Sequence, residues 1–177
     1  MSLALRPLEL HDEEAAIRAW REFQKTPHGF LTFYEEEMPW PEYLRMLADH
    51  REGRNLPEGI AKHGMYVAIV DGELVGRAGI RFELNEALAF RYGHVGYGVI
   101  ETQRRKGYAT EILRQALVIL ADEGISPVLV TCWDHNVGSV KVIEKNGGQL
   151  ESIAMDKEGV PFRRYWLSAQ TLSPLRN

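Results

Sequence analysis

A single cysteine, Cys132, stands among 177 residues. No internal disulfide framework can form, and no multi-cysteine zinc module is available. Long apolar runs are missing as well: no window of the chain approaches the roughly 18–20 apolar residues that a membrane span needs. Charge of one sign is not in excess, with 21 Lys and Arg against 25 Asp and Glu, a net charge of −4 and a pI near 5.9. That mild acidity excludes a general electrostatic pull towards nucleic acid or anionic membrane. Met1-Ser2-Leu3-Ala4-Leu5-Arg6-Pro7 has no basic segment followed by a long apolar stretch, and reads as neither signal peptide nor anchor. Repeats, low-complexity tracts and linkers are lacking too. What is present is a chain 45% hydrophobic, enough for one domain, residues 1–177, with a sizeable core and an expected place in the cytoplasm.

Taken in order, Leu3-Ala4-Leu5-Arg6 reads as a first strand closed by Pro7. Ala15, Ala16, Ile17, Ala19, Trp20 and Phe23 fall at helical spacing behind Glu13 and Glu14. Lys25 to Trp40 is interrupted by Pro27, Gly29 and Pro39, and a second helix starts near Pro41. Its irregular stretch holds Phe30, Phe33, Tyr34 and Trp40, which either line a pocket for an apolar or cationic amine or pack a core. Asp71-Gly72 between two apolar runs, residues 64–70 and 73–82, is a hairpin signal. Glu83 to Tyr92 fits a short helix or a loop. Gly93 to Val99 reads as a strand whose glycines suit close approach by a ligand.

Tyr97-Gly98-Val99-Ile100 leads into the cationic turn Glu101 to Ala109, and an apolar periodic run follows from Thr110 to Ala121. Val118 and Ile119 widen its apolar surface, which predicts burial on more than one side. Strand, basic glycine-containing loop, then helix is a recipe for an anion site. The first helical turn has N–H groups without intrahelical partners, and the helix dipole puts partial positive charge there. Small residues at Gly107 and Ala109 let amides approach a diphosphate, and Arg104, Arg105 and Lys106 add charge. Pro127 to Trp133 predicts a buried strand, and Asn136 a helix cap before Val137, Val140 and Ile143. Two strands, Leu150 to Met155 and Phe162 to Leu167, complete the order β-α-α-β-β-β-α-β-α-β-β. That order implies an α/β (α+β) mixed sheet with helices on both faces.

Arg104-x-x-Gly107-x-Ala109 between a strand and a helix resembles the acyl-CoA signature of the GNAT acetyltransferase superfamily, Gln/Arg-x-x-Gly-x-Gly/Ala. Asn136-x-x-Ser139 followed by Glu144-Lys145-Asn146-Gly147-Gly148 is similar to that family's second CoA-side motif. The likeness covers roughly Gly64 to Leu167. His94-Val95-Gly96-Tyr97, Asn136 to Ser139 and Arg164-Tyr165-Trp166 are most similar to a poorly characterised bacterial subgroup of predicted acetyltransferases. The resemblance implies a mostly antiparallel central sheet of about 6–7 strands, splayed at the acyl-CoA site. It also implies acetyl-CoA as acyl donor, held by Arg104, Arg105, Lys106, Gly107, Tyr108, Ala109 and Thr110. Asn136 would reach the pantetheine or phosphate region and Ser139 would line the groove. The family's frequent Tyr seven residues after that Asn is here Ile143, so the general acid is left open among Tyr97, Tyr108, Tyr165 and water.

Acyl transfer needs a neutral amine, a polarised carbonyl and attack geometry. A backbone N–H at or near Val99 could polarise the carbonyl. Glu83 and His94 are the candidate proton acceptors, against the plainer roles of solvated loop carboxylate and structural histidine. Two functions follow. One is an N-acetyltransferase working on a small-molecule or peptide amine in a ternary complex; the other is a non-catalytic acyl-CoA-binding sensor or interaction module. Edge strands near the carboxy terminus leave room for a homodimer. Gly93-x-x-Gly96-x-Gly98 precedes no helix and so is no dinucleotide fingerprint, and Cys132 with His135 lacks the second ligand pair of a metal site.

Overall fold

The protein, analysed as a computed structural model, is described over residues 2–24 and 29–168. Strand β1 (Leu3–Pro7) lies at a sheet edge, where Pro7 as last residue leaves no central ladder bond unmade. Helices α1 (Glu13–Phe23) and α2 (Trp40–Arg51) follow, with Pro41 in the first turn of α2. Residues 25–28 of the aromatic stretch lie outside the described part of the chain. Strands β2 (His63–Val70) and β3 (Glu73–Arg81) form the expected hairpin. Asp71 and Gly72 both have left-handed φ, 50° and 83°, and that pairing matches the twist of antiparallel strands.

The ambiguous stretch after β3 resolves into a π-helical turn, Leu88–Tyr92, before β4 (Val95–Val99). The strand therefore starts two residues later than the sequence suggested. Helix α3 (Tyr108–Asp122) then leads to β5 (Val128–Trp133), α4 (Val137–Lys145), β6 (Gln149–Met155) and β7 (Pro161–Leu167).

All ladders are antiparallel, but the strands do not form one continuous sheet. They fall into a four-stranded piece, β1-β2-β3-β4, and a three-stranded piece, β5-β7-β6. A single bridge, Gly93 to Val130, joins them at one end. Gly93 has φ 65°, and a Cβ there would overlap the Leu129 carbonyl, so only glycine permits the join. Beyond it β4 and β5 diverge into a fork.

Two apolar clusters cover the two faces. Ile112, Leu113, Ala116, Leu117 and Leu120 of α3 are fully buried against Ala78, Ile80 and Val95. Each large side chain of this kind contributes about 1.5–3 kcal/mol on burial. Val118 is exposed, whereas Ile119 packs against the same cluster and widens the buried face of α3. On the other side Phe30, Trp40 and Tyr43 pack over Met65 and Val67. Phe30, Tyr34 and Trp40 are thereby core or core-flanking; of the four aromatics only Phe33, 42% exposed, lines a cavity.

Candidate active site

The cationic turn is built to present amides. A short 3-10 turn, Glu101–Gln103, leaves β4, and Arg105 (φ 64°) and Gly107 (φ 84°) then adopt left-handed backbone. Left-handed residues interleaved with ordinary ones turn successive N–H groups to one side as a concave nest. Among the described residues the amides of Arg105, Lys106, Gly107, Tyr108 and Ala109 have no protein acceptor, whereas those of Thr110 and Glu111 donate to Gly107 O at 3.1 and 3.3 Å. Thr110 is thus corrected as an amide donor to a ligand: its N–H is already used. A Cβ on Gly107 would meet nothing within 4 Å, so the nest opens to solvent. Arg104 Nε donates to Val99 O at 3.3 Å and Lys106 Nζ to Gln103 Oε1 at 2.7 Å, while Arg105 is exposed.

Val99 belongs to the edge of the fork. Ile100 N–H donates to Val75 O and Arg81 N–H to His94 O, and antiparallel pairs alternate between bonded and non-bonded. The intervening register, Gly76 opposite Val99 and Ala78 opposite Tyr97, therefore turns the Val99 and Tyr97 amides away from β3 towards the fork. The opposite wall is the start of α4. Asn136 caps it as expected, its Oδ1 accepting from Ser139 N–H at 3.0 Å, which leaves its Nδ2 donor. Ser139 Oγ lies 2.7 Å from Tyr97 Oη, and this pair spans the fork. Burial pushes the Tyr97 phenol well above its usual range, so it stays protonated, and it pushes the Cys132 thiol up to about 11. Ile143 is fully buried in the α3-side cluster. Of the other phenols, Tyr165 donates to Glu144 Oε1 at 3.1 Å and Tyr108 packs against the core.

On the α1–α2 face, a cavity of about 300 Å³ opens between β2, β3 and the π-helical turn, lined by Phe33, His63, Arg77, Arg81, Leu88 and Tyr92 among others. It reaches β4 through Arg77, whose Nη1 lies 3.4 Å from Gly96 O. The glycines of β4 make room for this guanidinium and for the Phe23 ring, which a Cβ on Gly98 would meet at 3.1 Å. Arg77 and Phe23 thus pack against that face of β4.

A model of the "Acetyltransferase (GNAT) domain" family matches residues 2–149. The chain belongs to the GNAT acetyltransferase family. The GNAT fold recurs in solved structures. Mycobacterium smegmatis RimJ in complex with CoA-disulfide superposes with TM-score 0.68 at 22% identity, over 96% of this chain and 83% of that one. RimL, a ribosomal L7/L12 α-N-protein acetyltransferase in complex with CoA, gives 0.67 at 18% identity over 96% of each. A YncA acetyltransferase from Salmonella typhimurium with acetyl-CoA gives 0.62 at 13%, over 96% and 95%. A search among proteins of curated function finds no match.

Neither carboxylate nor imidazole chosen from the sequence suits a base in this GNAT domain. Glu83 is exposed on the loop after β3 and does not line the cavity. His94 is buried, and its Nδ1 accepts the Leu129 N–H at 2.9 Å while its own backbone N–H donates to Leu129 O. The lone pair a base would use is committed to holding the two sheet pieces together. Sequence reasoning missed His63, Arg77 and Arg81. His63 Nδ1 lies 2.9 Å from Ala61 O, which can only accept, so the hydrogen is on Nδ1 and Nε2 accepts from His50 Nδ1 at 3.3 Å. The one signal for the arginines was their alternation, Arg77-x-Gly79-x-Arg81, in an otherwise apolar strand. Among the described residues no cluster of three or more His, Cys, Asp or Glu could hold a metal ion, and no helix is long and apolar enough to cross a membrane.

Burial lowers both His94 and His63 below the usual imidazole value. The unfolded chain, with ordinary values near 6.5, then binds more protons than the native state as pH falls. Their contribution to stability is complete above pH about 6.5 and is lost below it. His94→Asn keeps an acceptor near the Nδ1 position without the titration. The fall in Tm between pH 7.5 and 5.5 should shrink in this variant, His63 still contributing to what remains. An unchanged pH slope would show that His94 titrates alike in both states.

Proposed function

We propose that this GNAT domain transfers an acetyl group from acetyl-CoA to an amine of a small molecule or peptide, by direct attack in a ternary complex. The observation that carries this reading is the row of unpartnered amides at 105–109, set beside an outward-facing Val99 N–H. Such a nest suits a diphosphate, with Arg104, Arg105 and Lys106 offering further donors. Asn136 Nδ2 and Ser139 border the same fork. When bound, acetyl-CoA supplies an activated acyl carbonyl and a thiolate leaving group.

The chain's own groups divide the remaining work. Val99 N–H donates towards a carbonyl oxygen in the fork, where its orientation is fixed in advance by the β3–β4 register. Tyr97, protonated and oriented by Ser139, holds a proton at Oη for a departing sulfur, in place of the phenol that Ile143 cannot provide, and the proton shed by the attacking amine passes through water, which restores the phenol. The acceptor enters from the cavity beside Arg77, on the opposite face of β4. That one fold relative is a protein α-N-acetyltransferase supports an amine nitrogen as the acceptor.

A non-catalytic acyl-CoA-binding module is the second reading, and the burial of Ile143 favours it. Free-thiol release from acetyl-CoA separates the two. Amine-dependent release above the hydrolysis background is expected for at least one member of a panel of amino acids, amides, polyamines and peptides. CoA binding with no amine-dependent release across that panel would leave only the module.

A further inference from the structure

We infer that the cavity beneath β3 binds a carboxylate carried by the acceptor amine, through the paired guanidiniums of Arg77 and Arg81. The inference rests on the amine-transfer reading above and narrows its acceptor to amines bearing a carboxylate close to the nitrogen. Arg77 and Arg81 project from one face of β3 with only Gly79 between them, and both line the cavity. No Asp or Glu lines it.

Elsewhere most partly buried arginines have acidic partners, such as Arg6 with Asp12, Arg51 with Glu123, Arg163 with Asp134 and Arg164 with Glu151, while Arg91 lies instead over the Trp133 and Phe162 rings. Among the described residues Arg77 and Arg81 have none. Their protein bonds are to carbonyls alone: Arg77 Nη2 to Gly29 O at 2.5 Å and Nη1 to Gly96 O at 3.4 Å, and Arg81 Nη1 to Gly93 O at 3.1 Å. Arg77 Nε is fully buried, with no acceptor among the described residues.

A guanidinium carries five donors in a fork that matches a carboxylate. Three of the ten donors in this pair go to carbonyls and Arg77 Nε is buried, so a ligand would draw on the remaining Nη hydrogens and on Arg81 Nε. Burial, and next the charge of Arg81, pull Arg77 down to about 10. Two cations held together without an anion destabilise each other, and a bound carboxylate relieves that repulsion. The same positive field opposes a polyamine, and it favours the neutral form of a nearby amine, which is the nucleophilic form. The walls contributed by Phe33, Ile60, Leu88 and Tyr92, and a volume of about 300 Å³, fit one amino-acid-sized molecule.

The test compares acids with their amides. L-phenylalanine, L-leucine and L-methionine are assayed for thiol release beside their carboxamides and spermidine. The corresponding N-acetyl acids and N-acetyl amides are titrated calorimetrically into the CoA-saturated protein. At least one acid is expected to exceed its amide by about tenfold or more in kcat/KM and in affinity. Arg77→Met and Arg81→Met, which keep side-chain volume, should each bring that ratio to within about twofold. Equal affinity of acid and amide in every pair for the wild-type protein overturns the inference whether or not the variants fold. Acetylation of amides or spermidine as efficiently as of acids also overturns it, and leaves the transfer reading standing. Acid-selective binding without thiol release from any amine does the reverse: the anion subsite stands and the transfer reading falls.

Discussion

Gly107→Trp should raise the Kd for CoA by at least about 100-fold, near 2.7 kcal/mol, while the protein remains folded. The residue caps α3 with φ 84°, and a Cβ there meets no protein atom within 4 Å. An indole can therefore be built without displacing the core, and its bulk is expected to cover the adjoining unpartnered amides of residues 105–109. A left-handed non-glycine residue costs roughly 1–2 kcal/mol. For a chain of this length each kcal/mol lowers Tm by about 2–4 °C, so the variant melts a few degrees early and is otherwise intact. Gly107→Ala carries the same strain without the bulk, and its CoA affinity should fall by much less. Equal affinities for wild type and Gly107→Trp would remove the turn from consideration as the carrier site.

The second large effect concerns the proton that the proposed transfer would deliver to the leaving sulfur. Tyr97→Phe should lower kcat by about 10²–10³-fold, within the range for loss of a positioned general acid. The Kd for CoA should move by no more than about threefold, since the lost hydroxyl is bonded to Ser139 Oγ inside the protein. Ser139→Ala leaves the phenol in place but unoriented, and should cost about tenfold in kcat. A Tyr97→Phe enzyme retaining kcat within about threefold would hand the role to water.

Much of the fold was legible because its determinants are local. Asp71-Gly72 carries its turn geometry within two residues, and Asn136 reaches only to Ser139 to cap its helix. The cationic turn was readable for the same reason: Gly107 supplies the left-handed residue, and the next residues begin the helix that supplies the amides. Errors gathered where the deciding partner is remote in sequence. His94 looks like a base until Leu129, 35 residues on, donates its N–H to Nδ1. Tyr97, Tyr108 and Tyr165 stayed open for a like reason, since the Ser139 that bonds the Tyr97 hydroxyl lies 42 residues away. Thr110 seemed part of the nest, but its N–H turns back to Gly107 O once the helix has formed.

By itself the sequence determined the family, the order of elements and the turn that presents unpaired amides, because spacing, charge and backbone preference act over a few residues. Only the tertiary structure decided that the strands part beyond Gly93, that the Val99 amide faces the opening, and that Arg77 and Arg81 share a cavity without a carboxylate. Those features depend on which strand edges and side-chain faces meet across the folded chain, and such pairings are set by close packing between distant segments.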